Sequence, residues 1–291
     1  MRVGIGLPVV APDAVLEWAE HIDEGEFSTV TMSDRLAYET PDPMISLAAV
    51  AGATSRVGIR TQVLLAALRD PVLLAKQVAT LDRLSGGRFS LGIGLGDRDT
   101  DYRAAGVPLS IRGRRLDENV STMVDSWRMA NTDPAERDGT PSCVPTWSPD
   151  GPELLFGGFS DAAVRRVARF GDGYMSAMVP ELSGYIFQEV RNAWKVAERD
   201  GEPKLVAQAN VVVGPDSRIE ETKALVTSYY SFLDDSEAPF TGAMVAQNML
   251  TTDAQLRNAV KMCGDFGADE IVFVCWAADS DQVARIGEAV G

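Results

Sequence analysis

Two hydrophobic periods alternate along the chain. Short runs that are apolar nearly throughout, or that alternate apolar with polar, mark strands at 2–8, 27–33, 57–65, 88–96, 153–158, 172–178, 204–213 and 269–276. Between them apolar residues recur every three to four positions. That spacing predicts helices at about 12–25, 42–55, 70–85, 112–130, 160–170, 181–200, 216–235 and 279–290. End signals agree: Pro12 and Pro71 stand in first turns, while Gly25, Gly86, Gly87, Gly171 and Gly201 follow last turns.

Alternating βα units with near-continuous apolar strands predict a parallel sheet covered by helices. Eight units, with one helix left after the last strand, fit a closed (β/α)8 TIM barrel of α/β class, as a single domain over residues 1–291. Two segments exceed ordinary loops. "TGAMVAQNML" and "TDAQLRNAVKMCGDFG" place extra helices before strand eight, and 131–152, rich in Pro, Asp, Thr and Ser, reads as a mobile surface excursion where residues shaping a substrate would be sought.

Composition narrows the chemistry. The chain is 45% hydrophobic but has no apolar run near the ~20 residues of a membrane span, and its first residues lack a leader pattern, so a cytoplasmic protein is expected. A net charge of −15 opposes attraction to nucleic acid or to anionic lipid. Three cysteines without C-x-x-C spacing and a single histidine, His21, suggest neither a disulfide framework nor a zinc site, and no metal is expected. None of the five lysines falls at a strand tip, which disfavours Schiff-base chemistry, and a phosphosugar isomerase would need a strand-tip base that is missing.

In such a barrel the chemistry collects at the carboxyl ends of the strands. The charged candidates there are few: Asp34, Arg35 and Asp97. Arg35 could stabilise negative charge or simply pair with Asp34 in a loop. "ELLFGGFSDAAVRRVARFGDGY" (153–174) runs from a strand through Gly157, Gly158 and Phe159 to Ser160 at a helix start. Backbone amides, the helix dipole and the Ser160 hydroxyl could hold a phosphate, although spacing alone favours a plain turn with Ser160 as N-cap. In "LDRLSGGRFSLGIGLGD" (81–97), Gly94 keeps strand four thin, either for a ligand or for close packing inside the barrel.

These segments together resemble the bacterial luciferase-like flavin or deazaflavin oxidoreductase superfamily. The most specific stretch is "RDPVLLAKQVATLDRLSGGRFSLGIGLGDRDTDYRAAGVP" (69–108), supported by "RGRRLDENVSTMVDSW" (112–127) and "FGGFSDAAVRRVARFGDGY" (156–174). The resemblance implies reduced FMN or coenzyme F420 bound at the strand carboxyl ends. The contacts would come from Gly6, Ser33, Asp34, Thr61, Gln62, Val63 and Gly94, with Gly157, Gly158, Phe159 and Ser160 as the phosphate loop. It also implies a bulge at 61–63 where members can carry a non-prolyl cis peptide. Arg35 stands where deazaflavin-dependent dehydrogenases of the family have a histidine, which puts a histidine-assisted mechanism in doubt. Asp97 matches a position where some carry an acidic proton donor, so Asp97, Asp34 and Arg35 are the candidate catalytic residues. Hydride transfer to a small organic substrate, oxygen insertion into one with a separate flavin reductase as partner, or non-catalytic flavin binding all remain open. A homodimer is the family default.

Overall fold

In the computed structural model, which describes residues 1–8, 11–132, 143–234 and 240–291, eight parallel strands close in sequence order into one barrel. They are β1 (Arg2–Gly6), β2 (Thr29–Met32), β3 (Gly58–Thr61), β4 (Phe89–Ile93), β5 (Glu153–Gly157), β6 (Gly173–Met175), β7 (Lys204–Val211) and β8 (Glu270–Cys275). The ring closes where β1 pairs with β8, Ile5 opposite Phe273. The expected TIM barrel is therefore the architecture found. Among the described residues no helix is long and apolar enough to cross a membrane.

The helices follow the sequence signals: α1 (Val15–Glu24), α2 (Pro43–Ala53), α3 (Pro71–Leu84), α4 (Asp99–Ala104), α5 (Arg112–Ala130), α6 (Asp161–Phe170), α7 (Pro180–Val196), α8 (Asp216–Tyr229), α9 (Gly242–Gln247), α10 (Asp253–Asp265) and α11 (Asp281–Val290). Asp42 and Asp70 cap α2 and α3 by accepting from the Ile45 and Leu73 amides, each followed by proline at the first helical position. Thr252 and Gln255 form a capping box on α10. The extra helices before β8 are α9 and α10.

Only α4 has no counterpart in the hydrophobic pattern. Its sequence, DTDYRA, is nearly all polar, and it is held by two tertiary anchors: the Tyr102 hydroxyl donates to the Leu95 carbonyl at 2.6 Å, and Asp101 is buried beneath the β2–α2 loop.

Buried apolar residues form three clusters, one of them around Val212, Tyr229 and Trp276 at the end of α8. The largest packs the helices against the outside of the barrel, with Trp18, Leu47, Val78, Trp127, Phe156 and Phe273 fully or nearly fully buried. A smaller one, Leu155, Met175, Val206 and Val272, sits on alternate strand positions from these. A polar column also threads the interior. Glu270 accepts from Ser28 and Thr29 (2.5 and 2.6 Å) and faces Arg60 Nη1 at 2.8 Å; Arg60 reaches Gln62, and the Gln62 side-chain amide Nε2 donates to Gln208 Oε1 at 3.0 Å. β3 and β7 are not neighbours, so that last bond crosses the lumen. Burial works against the Glu270 carboxylate, but Arg60 and the two hydroxyls outweigh it and hold its pKa at about 2.

The 131–152 segment differs from expectation. Residues 133–142 lie outside the described residues; the remainder packs at the amino-terminal end of the barrel, where the Trp147 amide donates to Asp82 and Asn131 donates to Thr146 and Pro149. None of 143–152 borders the cavity at the other end. The reason is topological, because α5 runs away from the strand tips and its connection to β5 starts and ends at that far end.

Candidate active site

A cavity of about 530 Å³ opens at the carboxyl ends of the strands. Its floor is made by Gln62, Val63, Gly94, Met175 and Gln208. The Gln62–Val63 peptide is cis, at the bulge marked in the sequence. There the chain leaves the regular β3 ladder: Gln62 N still bonds Met32 O at 2.7 Å, while Leu64 N turns to Gly92 O at 2.7 Å. This exit ends β3 at Thr61, short of the expected 65. It also decides between the two readings of the β4 glycines. A Cβ on Gly92 would collide with the Thr61 carbonyl and one on Gly94 with Val63, so these glycines admit the bulge that forms the cavity floor.

One end of the cavity gathers hydrogen-bond donors. Gly158, at φ +134, turns the chain from β5 into α6, and a Cβ there would stand 2.9 Å from Ala163. The Tyr174 hydroxyl fixes the Gly158 carbonyl at 2.7 Å. Ser160 is the N-cap of α6, its hydroxyl accepting from the Ala163 amide at 3.3 Å, which leaves its proton free to donate. Among the described residues, the amides of Asp161 and Ala162 find no acceptor. Asp161 is exposed and does not border the cavity, so its carboxylate does not compete for this end. Arg112, from the start of α5, and Arg166, from α6, complete it. Arg166 is paired with Asp117 at 2.6 Å, whereas the buried Nε of Arg112 has no hydrogen-bond partner.

The opposite wall joins the β2 and β4 tips to the end of α8. Arg35 and Arg98 bracket the Tyr229 ring, with guanidinium carbons 5.2 and 4.2 Å from its centroid. Arg98 also lies 3.9 Å from the Phe232 centroid and donates to the Tyr229 carbonyl at 2.6 Å. Arg35 pairs with Asp101 at 2.7 Å, not with Asp34. Asp101 in turn accepts from the Leu36 and Ala37 amides, pinning the β2–α2 loop.

Asp34 spends its carboxylate elsewhere, on the Leu65 amide (3.0 Å) and Arg69 (3.0 Å). Burial raises its pKa above the ordinary value, only partly offset by Arg69 and the amide. Asp97 stands exposed at the rim.

The cavity thus brings together Ser33, Asp34, Arg35, Gln62, Val63, Gly94, Asp97, Gly157, Gly158, Phe159 and Ser160. It does not reach Gly6, which gives room to Thr31 and Val274, nor Thr61, whose hydroxyl ties β3 to Gly92 at 2.8 Å. Sequence reasoning missed Arg112, Arg166, Arg98, Gln208, Tyr229, Tyr230 and Phe232. A signal existed for Arg166 alone: Ser160, Ala163 and Arg166 repeat at three-residue spacing and share one face of α6.

Comparison with known proteins agrees with this geometry. The luciferase-like monooxygenase family model matches residues 2–285. An uncharacterized protein of Mycobacterium tuberculosis is 30% identical over 234 residues, covering 78% of this chain and 80% of its own. Among solved structures, the monooxygenase RslO1 from Streptomyces bottropensis superposes with a TM-score of 0.79 at 21% identity, covering 99% of this chain and 97% of that one. An F420-dependent secondary alcohol dehydrogenase in complex with an F420-acetone adduct gives 0.77 at 17% identity, covering 100% and 98%.

Proposed function

Because the chain belongs to the luciferase-like monooxygenase family, we propose that it is an oxidoreductase that binds FMN or coenzyme F420 in this cavity and acts on a small organic molecule. One observation carries the reading. Ser160 at the start of α6 and Arg112, whose buried Nε has no partner, border the same cavity as the cis Gln62–Val63 floor.

The donor set fits a phosphorylated tricycle. Ser160, the α6 amides, Arg112 and Arg166 would hold the phosphate, at a helix start where the dipole favours an anion. That local positive end matters in a chain of net charge −15, whose general field repels anions. Gly158 leaves space that a side chain would fill. The bound ring system supplies the electron pair for hydride transfer or oxygen activation, the part of the chemistry that side chains cannot provide.

What remains for the protein is positioning and protons. Val63 and Gly94 give the floor a flat apolar surface, and the Gln62–Gln208 bond offers amide groups beside it. Asp34, committed to Leu65 and Arg69, positions the bulge segment. Asp97, free at the rim, is the group placed to give or take a proton. Arg35 is placed to favour negative charge developing near the β2 tip.

The test is a fluorescence-quench titration of the purified protein, whose five tryptophans serve as reporters, against oxidised and reduced FMN and F420. Saturable binding of either cofactor, weakened in Arg112→Met, is expected. Selective F420 binding would point to a reductase or dehydrogenase, and selective reduced-FMN binding to a monooxygenase fed by a separate reductase. Failure of all four forms to bind would overturn the reading.

A further inference from the structure

The wall opposite the phosphate end holds more positive charge than the protein neutralises. Arg35 and Arg98 both flank Tyr229, and Asp101, the one carboxylate paired there, is taken by Arg35 through Nε. Arg98 makes no ion pair among the described residues; its only hydrogen bond is to a neutral carbonyl. Arg35, with just 8% of its side chain exposed, keeps a buried Nη1 without any partner. Asp97 is nearby but exposed and not paired with either. An incompletely matched guanidinium pair in a half-buried setting is costly unless an anion completes it.

The surroundings specify the shape of that anion. Tyr230 and Phe232 lie 6.3 Å apart with rings 31° from parallel, Leu65 and Leu95 add apolar surface, and the whole borders the same cavity as Val63. Aromatic walls beside cations favour a planar molecule with delocalised charge.

We propose that this wall is the substrate subsite and that it takes an aromatic carboxylate or a comparably flat conjugated anion, gripped by Arg98 with the charge of Arg35 beside it. This rests on the cofactor occupying the phosphate end. The carboxylate it recognises could equally come from a cofactor tail, and the test separates the two.

Titration calorimetry of the protein without cofactor would compare benzoate with its neutral isostere benzamide, at low and high NaCl. Benzoate is expected to bind about tenfold or more tighter, with the preference shrinking as salt rises. Arg98→Met, which keeps the packing volume, should abolish that preference while leaving FMN and F420 affinity and the thermal midpoint in place. Equal binding of benzoate and benzamide to the unaltered protein would overturn the proposal. So would an Arg98→Met variant that loses FMN or F420 affinity as much as benzoate affinity, since the wall would then belong to the cofactor. If Arg98→Met does not fold, Arg98→Lys keeps the charge and should retain a salt-sensitive preference for benzoate; its absence counts against the proposal. Benzoate is measured alone, so a failure of benzoate recognition and a failure of cofactor binding are read separately.

Discussion

Arg60 and Arg112 are both arginines reaching into the barrel, yet they do opposite things. Arg60, 1% exposed, faces the Glu270 carboxylate deep in the lumen and also donates to Gln62. Arg112, at the rim of the cavity, spends one nitrogen on the Leu109 carbonyl and leaves a buried Nε unused. The first charge is neutralised by the protein itself and serves the fold; the second has no ion-pair partner among the described residues. Burial alone would not tell them apart, whereas the count of satisfied donors does.

The sharpest way to break this contrast is Glu270→Gln. It strands the Arg60 guanidinium in the lumen and should cost about 3–5 kcal/mol of stability in denaturant unfolding. A loss below 1 kcal/mol would mean that water reaches the column. The same pair sets an acid limit. The Glu270 carboxyl is held at about 2 in the fold against 4.5 for a free side chain, so its contribution is full above about 4.5 and disappears as pH falls through about 2. That span corresponds to about 3 kcal/mol. Acid unfolding curves of the two proteins should therefore converge toward pH 2, and parallel curves would assign the acid sensitivity to other carboxylates.

At the other pole the expected effects move from stability to binding. Arg112→Met should weaken FMN or F420 by about 1.5–3 kcal/mol while the thermal midpoint hardly changes, because no protein group loses an ion pair. A melting loss without an affinity loss would place Arg112 with Arg60 as a structural cation. Ser160→Ala is smaller and mixed: about 1 kcal/mol of stability from the lost cap and a comparable drop in cofactor affinity. An unchanged affinity would reduce Ser160 to a cap alone.

How far the site could be read in advance follows the same division. The turn from β5 into α6 was legible because it is local: Gly157, Gly158 and Ser160 fall within four residues, and the helix start follows directly. The β4 glycines were visible but ambiguous, since their partners, Thr61 and Val63, come from another strand. Charge pairing was misread wherever it is distant in sequence. Asp34 and Arg35 are neighbours in the chain, but Asp34 pairs with Arg69 and Arg35 with Asp101. Adjacent residues at a strand tip point to different sides, so proximity in sequence was the wrong guide. The aromatic wall was invisible for the same reason, as Arg98 meets Tyr229 across 131 residues of chain.

The sequence by itself determined the eight βα units, their caps, the closed barrel and the helix start that can hold a phosphate. All of these depend on periodicity, capping and backbone geometry, which act within a few residues. Only the tertiary structure decided which arginines are neutralised and which are not, that 143–152 lies away from the cavity, and that the end of α8 supplies its aromatic wall. Those outcomes depend on where separate units meet once the barrel closes, and electrostatic pairing answers to distance in space.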